Sequence, residues 1–266
     1  MTFIIQGGVS LLDVHCHIIP GVDDGAQTEA DSIDMAKAAI AEGIDTIVAT
    51  PHHKNLRYDN YREDILKNVS ILNELFEENG IELTVLPGQE IRINGEILED
   101  LRNGELLPIN DSKYIFIEFP SDSVPRYTEQ ILYDLQIEGY TPIIVHPERN
   151  RELLENPNKM YQLVRNGALS QVTAASIVGK FGKKIEQFSH QLIEANLTHL
   201  IGSDAHNTTT RGFFVRDAYE MVKNKYGVET YYMFMENSHL LVENMNLNRF
   251  EPSPIRKKKK KRFGLF

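Results

Sequence analysis

Two histidines flank the only cysteine of the chain, in the segment "LLDVHCHIIPGVDDG" at residues 11–25. A cysteine with imidazole neighbours can be a nucleophilic or redox centre, whereas two closely spaced histidines can be metal ligands. Alternate side chains of an extended segment point the same way, so His15 and His17 face one direction and Cys16 faces the other. The spacing therefore favours the histidine pair as the reactive groups, with Cys16 packed behind them.

Further imidazoles and carboxylates recur at the ends of β-rich segments. They are, in chain order, His52 and His53 in "ATPHH", Glu90 in "LPGQE", Glu118 in "YIFIEF", His146 in "PIIVHPER", and Asp204 with His206 in "LIGSDAH". Such a cluster needs positive charge among its members, and divalent metal ions supply it. Mixed nitrogen and oxygen ligands suit manganese, iron or zinc. We therefore predict a centre of about two to three ions, whose candidate ligands are His15, His17, Asp23, His52, Glu90, Glu118, His146, Asp204 and His206.

Two arginines follow predicted ligands, Arg149 in "HPERNR" and Arg211 in "SDAHNTTTR". A guanidinium presents a planar fork of donors that matches phosphate oxygens. Metal ions a few ångströms apart activate water and clamp a transferring phosphoryl group. Beside such a centre we interpret Arg149 and Arg211 as catalytic phosphate ligands, with Arg151 as the weaker alternative to Arg149, whereas elsewhere surface ion pairs would be the ordinary interpretation.

These residues need a fold that brings strand ends together. We predict strands at Leu11–His15, Thr46–Thr50, Leu83–Pro87, Tyr114–Phe119, Thr141–His146, Ser170–Thr173 and His199–Gly202. Helical patterns alternate with them, and this alternation is typical of a parallel α/β fold. The first helix has Thr28 as predicted N-cap and Gly43 as predicted C-cap. The second has one apolar face, formed by Ile65, Val69, Leu72 and Phe76, and further helices are predicted near residues 125–138, 157–166, 180–196 and 209–226.

Composition predicts one domain at residues 11–250, between an N-terminal extension at 1–10 and a basic, disordered tail at 251–266. No apolar run is long enough to span a bilayer, no secretory signal is visible, and a single cysteine favours a cytoplasmic setting.

The net charge is −10 although "RKKKKKR" at 256–262 is wholly basic. The acidic body argues against nucleic acid as a partner, whereas the tail is suited to an anionic membrane surface at the inner face, or to an acidic protein segment.

The motifs "DVHCH", "TPHH", "GQE", "IEF", "HPERN" and "SDAHN", in this order, resemble the polymerase and histidinol phosphatase (PHP) superfamily. The likeness is greatest to its bacterial tyrosine-protein phosphatases of the YwqE/CpsB/CapC type and covers roughly residues 11–250. It implies a distorted (β/α)7 barrel, a trinuclear centre, and manganese-dependent dephosphorylation of phosphotyrosine proteins. The implied partners are bacterial tyrosine kinases that govern capsule or exopolysaccharide synthesis.

The resemblance also implies how the ligands divide among three metal positions. The first position takes His15, His17, Glu90 and Asp204; the second takes His52 and His206, with Asp23 where many relatives have histidine; the third takes Glu90, Glu118 and His146. We expect direct hydrolysis by a metal-activated water, with Arg149 and Arg211 holding the nonbridging phosphate oxygens.

Three other functions compete with this hypothesis. A phosphatase of a small phosphomonoester, such as histidinol phosphate, would use the same ligands and stays open. A metal-stabilised binding module without turnover is disfavoured by the ligand set and by both arginines. A cysteine-dependent phosphatase is excluded, because its loop needs arginine six positions after the cysteine, where this chain has Val22.

Overall fold

The computed structural model describes residues 11–255 as an α/β structure of parallel strands and surrounding helices. Residues 1–10 and 256–266, which contain the predicted extension and most of the predicted tail, lie outside this description. The strands are β1 (Leu11–Cys16), β2 (Ile44–Ala49), β3 (His52–His53), β4 (Thr84–Pro87), β5 (Glu90–Arg92), β6 (Tyr114–Glu118), β7 (Thr141–Val145), β8 (Leu169–Thr173) and β9 (Leu200–Gly202). The helices are α1 (Glu29–Ala41), α2 (Arg62–Glu78), α3 (Ile97–Arg102), α4 (Thr128–Ile137), α5 (Arg151–Glu155), α6 (Pro157–Arg165), α7 (Ala174–Ile177), α8 (Lys183–Glu194), α9 (Val215–Tyr226) and α10 (Val228–Val242).

The strands form two sheets, ordered β1-β2-β4 and β3-β5-β6-β7-β8-β9, and every pairing within them is parallel. The second and third predicted strands correspond to β2 and β4, and each is followed after a short break by a strand that was not predicted, β3 or β5. β2 and β4 lie in the three-stranded sheet, whereas β3 and β5 lie in the six-stranded sheet. The predicted α/β class with parallel strands is therefore confirmed, with two of the seven strand positions shared between sheets.

The last strand position lies beside the first. An isolated parallel bridge pairs Cys16 with Ala205, which follows β9. The N–H of Asp204 also donates to the carbonyl of His15 at 2.8 Å, and the N–H of His17 donates to the carbonyl of Ala205 at 2.9 Å. The carboxyl ends of β1 and β9 therefore meet, although among the described residues this junction is a single bridge and no continuous ladder.

A register shift in β1 changes which side of the sheet its residues face. Between Asp13 and Cys16 the pairing with β2 slips, as at a β-bulge. Val14 then packs with one buried cluster, which includes Phe116 and Val145, whereas Cys16 packs with the larger cluster beneath the helices. Two residues two positions apart thus lie on opposite sides, and bulges of this kind commonly re-aim side chains next to active sites.

The helix predictions are confirmed where local signals are strong. Thr28 caps α1 in a capping box with Asp31, and Gly43 follows the last turn with a left-handed φ of +86°. The predicted apolar face of α2 is wholly buried. Helix α10 was not predicted, because its N-cap residue, Gly227, has no side chain that signals a helix start. It packs against α9, β1 and β9, so tertiary contacts stabilise it.

The chain remains attached to the body beyond the predicted domain boundary at residue 250. The N–H of Ser253 donates to the carbonyl of Ala195 at 2.9 Å, and Asn196 Nδ2 donates to the carbonyl of Glu251 at 2.9 Å. Ile255 packs against the core. Residues 251–255 therefore lie beside the turn that connects α8 to β9. None of the helices within residues 11–255 has the length and apolar character needed to cross a membrane.

Candidate metal centre

The first group of converging ligands joins β1, β5 and the turn after β9. Nε2 of His15 and Nε2 of His17 lie 3.3 Å apart. Both face Oε2 of Glu90, at 3.3 and 3.2 Å, and Oδ1 of Asp204, at 3.5 and 3.3 Å. All four side chains are buried. Asp204 is held in the left-handed region with φ of +52°, a backbone strain that clusters at functional sites.

The hydrogen bonds behind the two imidazoles decide which nitrogens face this group. Nδ1 of His15 donates to Oε1 of Gln171 at 2.9 Å, and the amide of Gln171 is oriented by Gly202. Nδ1 of His17 donates to Oδ2 of Asp23 at 2.7 Å. A neutral imidazole has one N–H and one lone pair, so both Nε2 atoms present lone pairs to the two carboxylates. Lone pairs and carboxylate oxygens that face one another in this way are suited to a bound cation, and the first predicted metal position fits this geometry.

The second group contains Asp24 where the sequence predicted Asp23. Oδ1 of Asp24 lies 3.4 Å from Nε2 of His52 and 3.3 Å from Nε2 of His206. His17 completes this group within the span of one ion. Oδ2 of Asp23 instead accepts from the ring of His17. The geometry therefore favours Asp24 as ligand, with Asp23 as the residue that orients His17, and a ligand role for Asp23 stays a prediction.

The third group surrounds Glu90 and Glu118. Nδ1 of His52 lies 3.0 Å from Oε2 of Glu90 and 3.8 Å from Oε2 of Glu118. His146, the predicted third ligand, places Nε2 2.6 Å from Oε1 of Glu90, and its φ of +35° is left-handed. Arg92 donates to Oε2 of Glu118 at 2.9 Å. Oε2 of Glu90 thus faces His15 and His17 of the first group as well as His52, whereas Oε1 faces His146, so Glu90 contacts both groups.

His52 borders the second group with Nε2 and the third group with Nδ1. A neutral imidazole has only one lone pair, so His52 can ligate in one of these groups. If it serves the second group, His146 is the imidazole closest to Glu90 in the third. For His52 and His146 this division is the one that the sequence resemblance implies, and the individual ligands remain predictions.

The two predicted catalytic arginines converge on Asp204. Nη2 of Arg149 lies 2.6 Å and Nη2 of Arg211 3.2 Å from Oδ2 of Asp204, whose Oδ1 faces the histidines. Arg211 also reaches Oδ2 of Asp24 at 3.3 Å. Arg151, the weaker alternative, is largely exposed and pairs loosely with Asp122. Arg149 and Arg211 therefore border the centre with forked donors, as phosphate binding requires.

The many carboxylates of the centre shift the pKa values of neighbouring candidate ligands. Burial and the neighbouring charge of Glu90 raise the pKa of Glu118 to about 7. Burial lowers the pKa of His52, but Glu90 and Asp24 outweigh it and raise that pKa to about 10. The pKa of His17 is raised in the same way against its burial. Both raised pKa values have the same cause, carboxylates that favour positive charge at this place, and a bound cation would supply that charge.

Sequence patterns did not identify several residues of the centre. Asp24 is absent from the predicted ligands, and only the double aspartate in "VDDG" signals a second carboxylate. Gln171 is a buried polar residue of β8, and Arg92 follows the "GQE" motif. His53, although it adjoins His52, takes no part in the ligand groups; its ring packs edge-on against Tyr61 with a centroid distance of 5.1 Å.

Known proteins resemble this chain over nearly its whole length. Residues 11–243 match the family described as capsular polysaccharide synthesis, CpsB/CapC. The tyrosine-protein phosphatase YwqE of Bacillus subtilis is 51% identical over 256 residues, which cover 96% of this chain and 100% of that protein. The putative tyrosine-protein phosphatase CapC of Staphylococcus aureus is 42% identical over 258 residues, with 96% and 100% covered.

Solved structures extend the similarity to three dimensions. A crystal structure from a pair described as YwqE from Bacillus subtilis and CpsB from Streptococcus pneumoniae, unique metal-dependent tyrosine phosphatases, has a TM-score of 0.91 at 51% identity. It covers 93% of this chain and 100% of the other. A phosphotriesterase homology protein from Escherichia coli has a TM-score of 0.53 at 10% identity, with 86% and 97% covered, and shows the shared fold alone.

Proposed function

This chain belongs to the CpsB/CapC family of capsular polysaccharide synthesis, and we propose that it is a metal-dependent phosphatase that hydrolyses phosphotyrosine in proteins. One structural observation carries the proposal. Two imidazole lone pairs and two carboxylates converge within 3.2–3.5 Å, and the residues behind them hold the imidazole protons on the far side. Such a donor set is suited to a divalent cation. The arginines beside it are suited to a phosphoryl group.

The residues that would hold the ions follow from the three groups. The first position would use His15, His17, Glu90 and Asp204; the second His52, His206 and Asp24; the third Glu90, Glu118 and His146. When bound, divalent ions lower the pKa of water and neutralise phosphoryl charge. We propose manganese as the metal, with iron or zinc as alternatives, because the donors are nitrogen and oxygen.

The protein groups around the ions orient the substrate. Arg149 and Arg211 hold their guanidinium groups on the outer oxygen of Asp204, at the edge of the centre. There they would bind the nonbridging phosphate oxygens and stabilise charge that develops during transfer. Gln171 and Asp23 keep protons on Nδ1 of the two β1 histidines, so their Nε2 lone pairs stay directed at the centre.

We propose that the physiological substrates are phosphotyrosine proteins, foremost a bacterial tyrosine kinase that controls capsule or exopolysaccharide synthesis. The support is the family itself and the relatives that are described as tyrosine-protein phosphatases. The proposed setting is the cytoplasm, with the chain peripheral at the inner membrane face. The acidic body continues to argue against nucleic acid as a partner.

The test of the function compares substrates and metal states of the purified protein. We expect hydrolysis of a phosphotyrosine peptide to be lost in excess EDTA and restored by Mn²⁺, with Fe²⁺ and Zn²⁺ measured in parallel. Histidinol phosphate, the alternative substrate class, should be hydrolysed much more slowly. Full activity in excess EDTA would refute the metal mechanism. A higher kcat/KM for histidinol phosphate than for the peptide would refute the substrate assignment.

The basic tail has a separate proposed role, attachment to an anionic membrane surface. Residues 256–262 are all lysine or arginine, and clustered basic residues bind anionic lipid at about 1 kcal/mol per charge near the surface. Deletion after Pro254 should abolish sedimentation with vesicles that contain phosphatidylserine, while peptide hydrolysis in solution stays unchanged. Equal sedimentation of the full and shortened chains would contradict this role.

A further inference from the structure

A cavity of about 350 Å³ shares Arg149 with the border of the candidate centre. Four of its lining residues are basic: Arg149, Arg151, Lys183 and Lys184. We name this cavity the basic subsite. Its floor includes Phe181, whose ring centroid lies 5.7 Å from the guanidinium carbon of Arg149, a cation–π distance. The cavity is therefore a defined pocket with concentrated positive charge, although the chain as a whole is acidic.

Arg149 connects the basic subsite to the candidate centre. Its guanidinium contacts Asp204 at 2.6 Å while its side chain also lines the cavity. A phosphate held at the centre by Arg149 would thus lie at the mouth of the basic subsite. An extended peptide advances at most about 3.6 Å per residue. A group that enters the cavity would come from a residue close to the phosphorylated one in sequence.

The other cations of the basic subsite lack strong partners. Within residues 11–255, neither Lys183 nor Lys184 forms an ion pair. Arg151 has only the long contact with Asp122, at 3.9 Å between two largely exposed side chains. Glu155 also lines the cavity and has an interaction of its own. The positive charges therefore outnumber the acidic ones, and most of them remain available to a ligand.

The backbone adds donors to the same cavity. Helix α8 begins at Lys183 after Gly182, which provides no side-chain cap. The first N–H groups of a helix have no partner within it and favour anions. Gly182 and the two lysines all line the cavity, so the start of α8 forms part of its wall. Side-chain charge and helix orientation thus favour the same kind of ligand, a compact anion.

We propose that the basic subsite binds an anionic group next to the phosphotyrosine in the substrate, either a carboxylate of Asp or Glu or the phosphate of a second phosphotyrosine. The inference rests on the proposed phosphotyrosine activity and deepens it, because it states which sequences around the reacting residue are preferred. The basic subsite makes no contact with the reacting phosphate except through Arg149. Its contribution to substrate recognition therefore depends on the peptide sequence and is absent for substrates that have no anionic residues beside the phosphotyrosine.

The experiment compares three peptides that share one phosphotyrosine, with neutral flanks, with glutamate flanks, or with a second phosphotyrosine nearby. We expect wild-type kcat/KM to be about tenfold higher for the anionic peptides than for the neutral one, as a few screened ion pairs allow. The double variant Lys183→Gln/Lys184→Gln should lose this preference and retain its rate on the neutral peptide. The preference should also decline with added salt.

The matched control removes two lysines elsewhere. Lys37 on α1 and Lys67 on α2 are exposed, and Lys37→Gln/Lys67→Gln changes the net charge equally. This control should keep the wild-type preference, which excludes a long-range charge effect. Preference for both anionic peptides assigns the basic subsite to anions in general, and preference for the doubly phosphorylated peptide alone assigns it to phosphate.

The outcomes separate this inference from the proposed function. Equal rates on all three peptides, or a preference that survives in Lys183→Gln/Lys184→Gln, would overturn the basic subsite and leave the phosphatase activity standing. Failure to hydrolyse any phosphotyrosine peptide in the presence of Mn²⁺ would overturn both.

Discussion

Asp23 holds the ring of His17 in place: Oδ2 of Asp23 lies 2.7 Å from Nδ1 of His17, on the side away from the converging ligands. The next residue, Asp24, turns the other way and lies beside His52 and His206. Adjacent aspartates of the same segment therefore have different positions relative to the centre. The first orients the ring of His17, and the second is the one that we propose as a ligand.

This difference in position predicts that substitutions of the two aspartates change metal binding in different ways. Asp24→Asn should reduce the number of bound Mn²⁺ ions, because it weakens a carboxylate donor of the second group. Asp23→Asn should keep the stoichiometry and weaken affinity by about 10–100-fold, as the loss of an orienting carboxylate does. Elemental analysis and metal titration measure both quantities. A missing ion in Asp23→Asn, with a full complement in Asp24→Asn, would restore Asp23 as the ligand.

The opposite orientation of neighbours in β1 predicts that Cys16 is not catalytic. Cys16→Ser should leave kcat within about twofold and cost about 1 kcal/mol of stability, because a buried hydroxyl replaces a thiol. The new hydroxyl can still donate to the carbonyl of Ala205, which Sγ approaches at 3.6 Å. His17→Ala should lower kcat/KM at least about 100-fold. An inactive Cys16→Ser enzyme with intact metal content would reverse this assignment.

Substitution of Arg149 should lower kcat more than substitution of Arg211, because Arg149 makes the shorter contact with Asp204. Arg149→Ala should lower kcat by about 10²–10³-fold, the usual effect of removing a donor to developing charge. Arg211→Ala should have a smaller effect of the same kind. Arg165 on α6 is exposed and remote in the chain from the motifs, so Arg165→Ala is the control. Metal content must be measured as well, since loss of ions would show that Arg149 acts only by positioning Asp204.

His199 predicts a pH-dependent stability that is independent of the ligand groups. Burial lowers the pKa of His199 to about 3, and its Nδ1 accepts the N–H of Ser170 at 3.2 Å, so the native state needs the neutral ring. The unfolded pKa is about 6.5, so the unfolded chain binds more protons between these values. Stability is thus complete above about pH 6.5 and falls towards pH 3, by on the order of 2–3 kcal/mol at pH 4.

The measurement is urea unfolding at several pH values in the presence of a chelator, so that metal release does not contribute. His199→Asn retains an acceptor for Ser170 without a titrating ring, and its stability should depend less on pH over this window. His239→Asn changes an exposed histidine on α10 and should behave as the wild type. Identical slopes for the wild type and His199→Asn would contradict the assignment.

Local sequence patterns were sufficient to predict where several strands end and which arginines follow them. The apolar runs before His52, His146 and Asp204 indicate buried parallel strands, and such strands meet at their carboxyl ends. Capping residues and the apolar face of α2 are equally local, and the structure confirms them. Helix α10 was missed because its stability comes from contacts with α9, β1 and β9, which no short window contains.

Composition and residue spacing were sufficient to predict a metal centre beside a phosphate site, because residue types limit which ions and anions a site can bind. They were not sufficient for the role of each ligand. The path of the loop after β1 turns Asp24, and not Asp23, towards His52 and His206, and the break between β2 and β3 brings His52 between two ligand groups. Loop paths and bulges depend on contacts between segments far apart in the chain. The basic subsite has the same origin, since α5, the turn before it and the start of α8 form one cavity only after folding.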